Sequence, residues 1–64
     1  MEPIQLEYLA DILQDLYNTF MIDADDVGMS FDEICMYVEQ FEMNEDMLFS
    51  FIKEKAKENG ANLN

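Results

Sequence analysis

Asp23, Asp25, Asp26, Asp32 and Glu33 lie close together in "DADDVGMSFDE", a density of carboxylates that invites a calcium reading. An EF-hand loop starting at Asp23 requires oxygen ligands at its first, third and fifth positions, glycine at the sixth and glutamate at the twelfth. Asp23, Asp25 and Gly28 meet the first, third and sixth, but Val27 stands at the fifth, Ile34 at the twelfth, and Glu33 arrives one residue early. Counting back from Glu33 puts Ile22 and Ala24 at the first and third positions instead. Neither register supplies a full ligand set, so no metal or cofactor is expected, and a divergent EF-hand-like calcium-binding module is the alternative reading.

A second set of carboxylates, Glu7, Asp11 and Asp15, recurs every four residues. On a helix that spacing puts them on one face, about 6 Å apart along the axis, where like charges repel. Asp23, Asp25, Asp26, Asp32, Glu33, Glu39, Glu42, Glu45 and Asp46 extend the negative run, and residues 1–52 contain no lysine or arginine. Repeated carboxylates can stand in for phosphates before the Arg and Lys that normally neutralise DNA. Catalysis by paired carboxylates is the enzymatic reading of the same residues. The chain has no histidine, no Ser-His or Cys-His pairing and no glycine-rich phosphate loop, so no enzyme is expected. Cys35, the sole cysteine, lies among apolar residues of an expected helix and reads as a structural thiol.

Sixty-four residues make one small domain, here residues 1–60 with a short tail at 61–64. Half the chain is apolar, including five phenylalanines, which predicts a folded protein despite a net charge of -12. That charge would repel nucleic acid and anionic membrane and attract a basic partner. No apolar run approaches the length of a membrane span, the N-terminus lacks a signal-peptide pattern, and a cytoplasmic location is expected.

The elements that carry these acids are helical. Leu6, Leu9, Leu13, Leu16 and Phe20 step by three and four, with Ile12 and Tyr17 widening the stripe, and Pro3 suits a first turn, so a helix is predicted over 3–20. Ser30 and Glu33 form an S-x-x-E capping box with Met29 placed to staple onto Ile34, opening a helix over 31–41 with Phe31, Ile34, Cys35, Val38 and Phe41 inward. Asn44 caps a third helix over 45–58, Met43 can staple onto Leu48, and Met47, Leu48, Phe51 and Ile52 face inward. Asn59-Gly60 closes it. The fold class is all-α, a compact three-helix domain.

Residues 28–63, "GMSFDEICMYVEQFEMNEDMLFSFIKEKAKENGANL", resemble the N-terminal autoinhibitory region of primary bacterial sigma factors. Met29, Ser30, Phe31, Asp32, Glu33 and Ile34 match its first motif, and Glu45, Asp46, Met47 and Gly60 its second. The resemblance implies a small acidic helical module that sits in the DNA channel of RNA polymerase as a nucleic-acid substitute. No promoter-binding regions follow within these residues, and the linker before Ser30 is acidic where the family has Gly and basic residues. The expectation is therefore a free-standing module, similar in character to phage-encoded inhibitors of host defence or transcription, acting in the host cytoplasm if so encoded.

The expected partner is a basic nucleic-acid-binding protein such as RNA polymerase, a nuclease or another DNA-handling enzyme. Glu7, Asp11, Asp15, Asp23, Asp25, Asp26, Asp32, Glu39 and Glu42 would act as phosphate substitutes, with Met36 and Tyr37 as apolar anchors. Ile4, Tyr8, Ile12, Tyr17, Met21, Met36, Tyr37 and Phe49 lie off or at the margin of the inward faces, a surplus that marks an interface. A helical assembly domain that forms a homodimer is the other reading of that surplus.

Overall fold

The computed structural model describes residues 2–63. Within them the chain is all-α: α1 (Leu6–Phe20), α2 (Ala24–Val27), α3 (Phe31–Gln40) and α4 (Glu45–Glu58). α4 packs against both α1 and α2, and α1 also packs against α3. No helix among the described residues is long and apolar enough to cross a membrane.

Local chemistry sets the helix starts. Ser30 Oγ accepts from the Glu33 amide (3.1 Å) while Glu33 Oε1 accepts from the Ser30 amide (3.2 Å), the expected reciprocal box. Asn44 Oδ1 accepts from the Met47 amide at 2.9 Å and opens α4 at Glu45. α2 was not expected from periodicity. Asp23 and Asp26 form a second capping box, Asp26 N to Asp23 Oδ1 at 3.3 Å and Asp23 N to Asp26 Oδ2 at 3.0 Å, so what reads as a turn is one helical turn.

α1 begins at Leu6, not at residue 3, and Pro3 lies outside it. Gln5 at its N-cap makes no side-chain cap, and the preceding arm is drawn away by a hydrogen bond from the Ile4 amide to the Met43 carbonyl, 2.8 Å. The N-terminal arm is thereby stitched to the α3–α4 turn.

Three helices stop in the same way. The amide five residues beyond a helical carbonyl bonds back to it: Ile22 to Tyr17 (2.9 Å), Met43 to Val38 (3.0 Å) and Ala61 to Ala56 (2.9 Å). Inside each loop a shorter bond closes, Met21 to Asn18, Glu42 to Glu39 and Gly60 to Lys57, which completes the Schellman pattern. The pattern needs a left-handed residue, and Met21 (φ 60°), Glu42 (φ 49°) and Gly60 (φ 94°) supply it. The following residue turns inward: Ile22 packs on the core and Met43 is buried in it. Ala61 therefore belongs to the α4 stop, while Asn64 of the expected tail lies outside the described residues.

The core holds Leu9 and Leu13 of α1, Val27 of α2, Ile34 and Val38 of α3, Met43, and Leu48, Ile52 and Ala56 of α4. Burial of aliphatic side chains of this size contributes about 1.5–3 kcal/mol each. Ile4, Ile12, Leu16, Tyr17, Phe20, Met29, Cys35 and Phe51 pack around it half-buried. Four residues expected inward are not: Leu6, Phe31, Phe41 and Met47 are 42%, 46%, 52% and 44% exposed. The covered arc of α3 centres on Ile34 and Val38, and Phe31 and Phe41 fall at its two ends.

Candidate functional site

The acids of α1 acquire neighbours that the sequence does not pair with them. Asp11 and Asp15 line one open groove of about 580 Å³ with Ile4, Tyr8 and Ile12, and Glu45 at the start of α4 lines it as well. A smaller depression of about 220 Å³ continues it past Asp15, Glu45, Asp46, Leu16 and Phe49. Among the described residues, no lysine or arginine lines either one. Phe49 leans on Phe20 with ring centroids 4.8 Å apart, which fixes the end of the depression. Glu45 and Asp46 also lie at the positive end of the α4 dipole, so the groove is closed on one side by carboxylates that the helix itself favours.

The other expected phosphate substitutes are dispersed. Glu7 is exposed one turn before Asp11 but outside the groove lining. Asp23 and Asp26 each engage one carboxylate oxygen with the other's amide, at the exposed start of α2. Asp25 is exposed beside Gly28, Met29 and Phe31. Asp32 and Glu39 flank Cys35 on α3, and Glu42 occupies the left-handed turn before α4. Among the described residues, no group of three His, Cys, Asp or Glu side chains is arranged to hold a metal ion.

All three lysines lie in the C-terminal half of α4. Lys55 Nζ is 3.4 Å from Glu58 and 5.7 Å from the centroid of the Phe51 ring, the single ion pair among the described residues. The acids of α1, α2 and α3 have no cationic partner there.

Met36 and Tyr37 do stand on the surface, 66% and 39% exposed, in a shallow site with Glu33, Gln40 and Phe41. Tyr37 stacks on Phe41, centroids 5.9 Å apart at 14°, and meets Phe51 of α4 at 5.4 Å. Glu45, Asp46, Phe41 and Phe51 are site residues that sequence reasoning placed elsewhere. In the sequence the first two belong to the negative run but not to the expected phosphate substitutes, and the aromatics read as core. Of the apolar surplus, Tyr8, Met21 and Phe49 are exposed, while Ile4, Ile12 and Tyr17 are half-buried against the core.

Burial raises the Cys35 thiol above its usual pKa, and the charges of Asp32 and Glu39 raise it further. It is held as a protonated thiol, which fits a packing role. Burial likewise raises the Tyr17 hydroxyl.

No protein-family model, curated protein or solved structure matches the chain.

Proposed function

We propose that the chain is a non-catalytic acidic protein that occupies the phosphate-binding surface of a basic, nucleic-acid-handling partner. The observation that carries this reading is the groove in which Asp11 and Asp15 of α1 meet Glu45 of α4 around Ile4, Tyr8 and Ile12, with no lysine or arginine among the described residues of its lining. A solvated helical face ordinarily mixes charge signs. Here like charges are concentrated at the junction of two helices, at some cost to each. Such a surface offers repeated acceptors to Arg and Lys, associates rapidly, and weakens as salt rises. RNA polymerase, a nuclease or another DNA-handling enzyme has the complementary surface, and a phage-type inhibitor is the setting this reading suits.

The test is competition. Nucleic-acid-binding proteins retained on the immobilised chain are challenged with duplex DNA and with salt. Displacement by DNA is expected, with affinity falling at least about tenfold between roughly 50 and 200 mM salt. Asp11→Lys with Asp15→Lys, or Asp25→Lys alone, should weaken retention, whereas Asp26 is avoided because it caps α2. Retention indifferent to DNA, salt and these charge reversals would refute the reading.

A further inference from the structure

A band of apolar side chains crosses from α3 to α4, sharing only Asp46 with the lining of the acidic groove and its continuation. Met36, Tyr37 and Phe41 form its α3 part, and the Tyr37–Phe51 ring contact carries it onto α4. There Phe51, Met47 and Met43 line an open, mostly apolar depression of about 580 Å³. Met36, Tyr37, Phe41 and Met47 are 66%, 39%, 52% and 44% exposed, so among the described residues this surface is left uncovered.

Its rim is acidic. Glu33 borders the Met36 and Tyr37 end, and Asp46 and Glu54 border Met47 and Phe51. Lys55, the one cation at the band, is held by Glu58. A second copy would bring the same carboxylates to the same rim, with a net charge of -12 on each chain opposing it. A segment with aliphatic side chains on one face and lysine or arginine on both flanks satisfies the apolar strip and the rim together. Met and aromatic side chains suit such an occupant because they adapt to its shape.

We propose that this band seats a basic amphipathic helix of the partner. The molecule's longest dimension is 29 Å. A helix of about 14 residues, about 21 Å long, is shorter than that dimension. This deepens the reading above, in that the partner is the same basic protein, but it uses different side chains and a contact that salt does not screen.

The probe is an amidated peptide of about that length with leucine and lysine at helical spacing, compared with one in which serine replaces each leucine. Binding is measured by fluorescence anisotropy in about 0.5 M NaCl, where the Debye length is about 4 Å. The leucine peptide is expected to bind at least about tenfold tighter than the serine peptide, and Tyr37→Ser with Phe41→Ser to remove about that factor. Asp11→Asn with Asp15→Asn should change it less than about twofold, because those groups lie in the other groove. Should the aromatic variant lose its helical circular dichroism, Met36→Ser with Met47→Ser takes its place. Equal binding of the two peptides, or full affinity in the folded variant, would overturn the proposal. So would a dimer in sedimentation equilibrium that the same variant dissociates. Loss of DNA competition with peptide binding intact would count against the charge reading alone.

Discussion

Asn59 and Val27 are joined across 32 positions by one hydrogen bond, Asn59 Nδ2 to the Val27 carbonyl at 2.9 Å, and the same amide donates to the Lys55 carbonyl at 3.0 Å. Val27 ends a one-turn helix, whose last carbonyls have no partner within it. The C-cap residue of α4 thus supplies a partner for the last carbonyl of α2. Asn59→Ala is expected to lower stability by about 1–2 kcal/mol. In a chain this short that shifts the melting midpoint by roughly 4–8 °C per kcal/mol, measurable by circular dichroism. Asn59→Asp should be worse, because a carboxylate cannot donate and would set its anionic oxygens against the two carbonyl oxygens.

Gly28 follows Val27 at φ 72°, and a β-carbon there would approach Asn59 Nδ2 to 2.9 Å. Gly28→Ala therefore meets both backbone strain and a steric conflict with the α2 cap, at an expected cost of about 1–3 kcal/mol. With Asn59→Ala also present the conflict is gone, so the double variant should lose less than the sum of the single changes. Urea melts of the four proteins test this coupling.

Met21 holds a left-handed conformation, φ 60°, while 91% exposed, so its side chain contributes little packing there. Met21→Gly is expected to stabilise the fold by about 0.5–1 kcal/mol, the relief of strain exceeding the added freedom of the unfolded chain. Glu42→Gly at φ 49° should act in the same direction. A lower denaturation midpoint for Met21→Gly would contradict this account of the α1 stop.

Residues 1–52 hold thirteen acids and no cation, and the single described ion pair is local to α4. Salt should therefore screen net repulsion and leave little attraction to lose. The melting midpoint is expected to rise between about 0.05 and 0.5 M NaCl, a range that includes the concentrations at which the partner complex weakens. A fall would mean that favourable charge pairs dominate.

Cys35 titrates above the usual thiol range because of its burial, with Asp32 and Glu39 adding to the effect. At pH 8 its thiolate fraction is lower than that of a free cysteine, so iodoacetamide should alkylate it more slowly. Asp32→Asn with Glu39→Gln should speed the reaction. The linkage has a definite sign: as pH rises past the usual thiol range the unfolded chain loses its proton first, so this residue's contribution to stability falls.

What could be read from the sequence was whatever a few neighbouring residues decide. Ser30 with Glu33 and Asn44 before Met47 mark the starts of α3 and α4, and the structure places both helices there. α2 escaped because four residues carry no period, and because its box uses Asp26 where glutamate or glutamine is the familiar signal. Helical period identified the apolar stripe of α3 but not how far its neighbours extend, so Phe31 and Phe41 were assigned to a core that does not reach them. The acidic run was legible residue by residue. That Asp11 and Asp15 share a groove with Glu45 depends on how α1 meets α4, which no spacing encodes.

The repeated helix stops bear on how this chain finds its structure. Each boundary is written within five positions, Tyr17 to Ile22, Val38 to Met43 and Ala56 to Ala61, and two of the three close without glycine. The C-terminal ends of these three helices are thus written locally, and Ile22 and Met43 tie two of them to the core. A chain with boundaries fixed so locally belongs among helical domains that fold in microseconds to milliseconds.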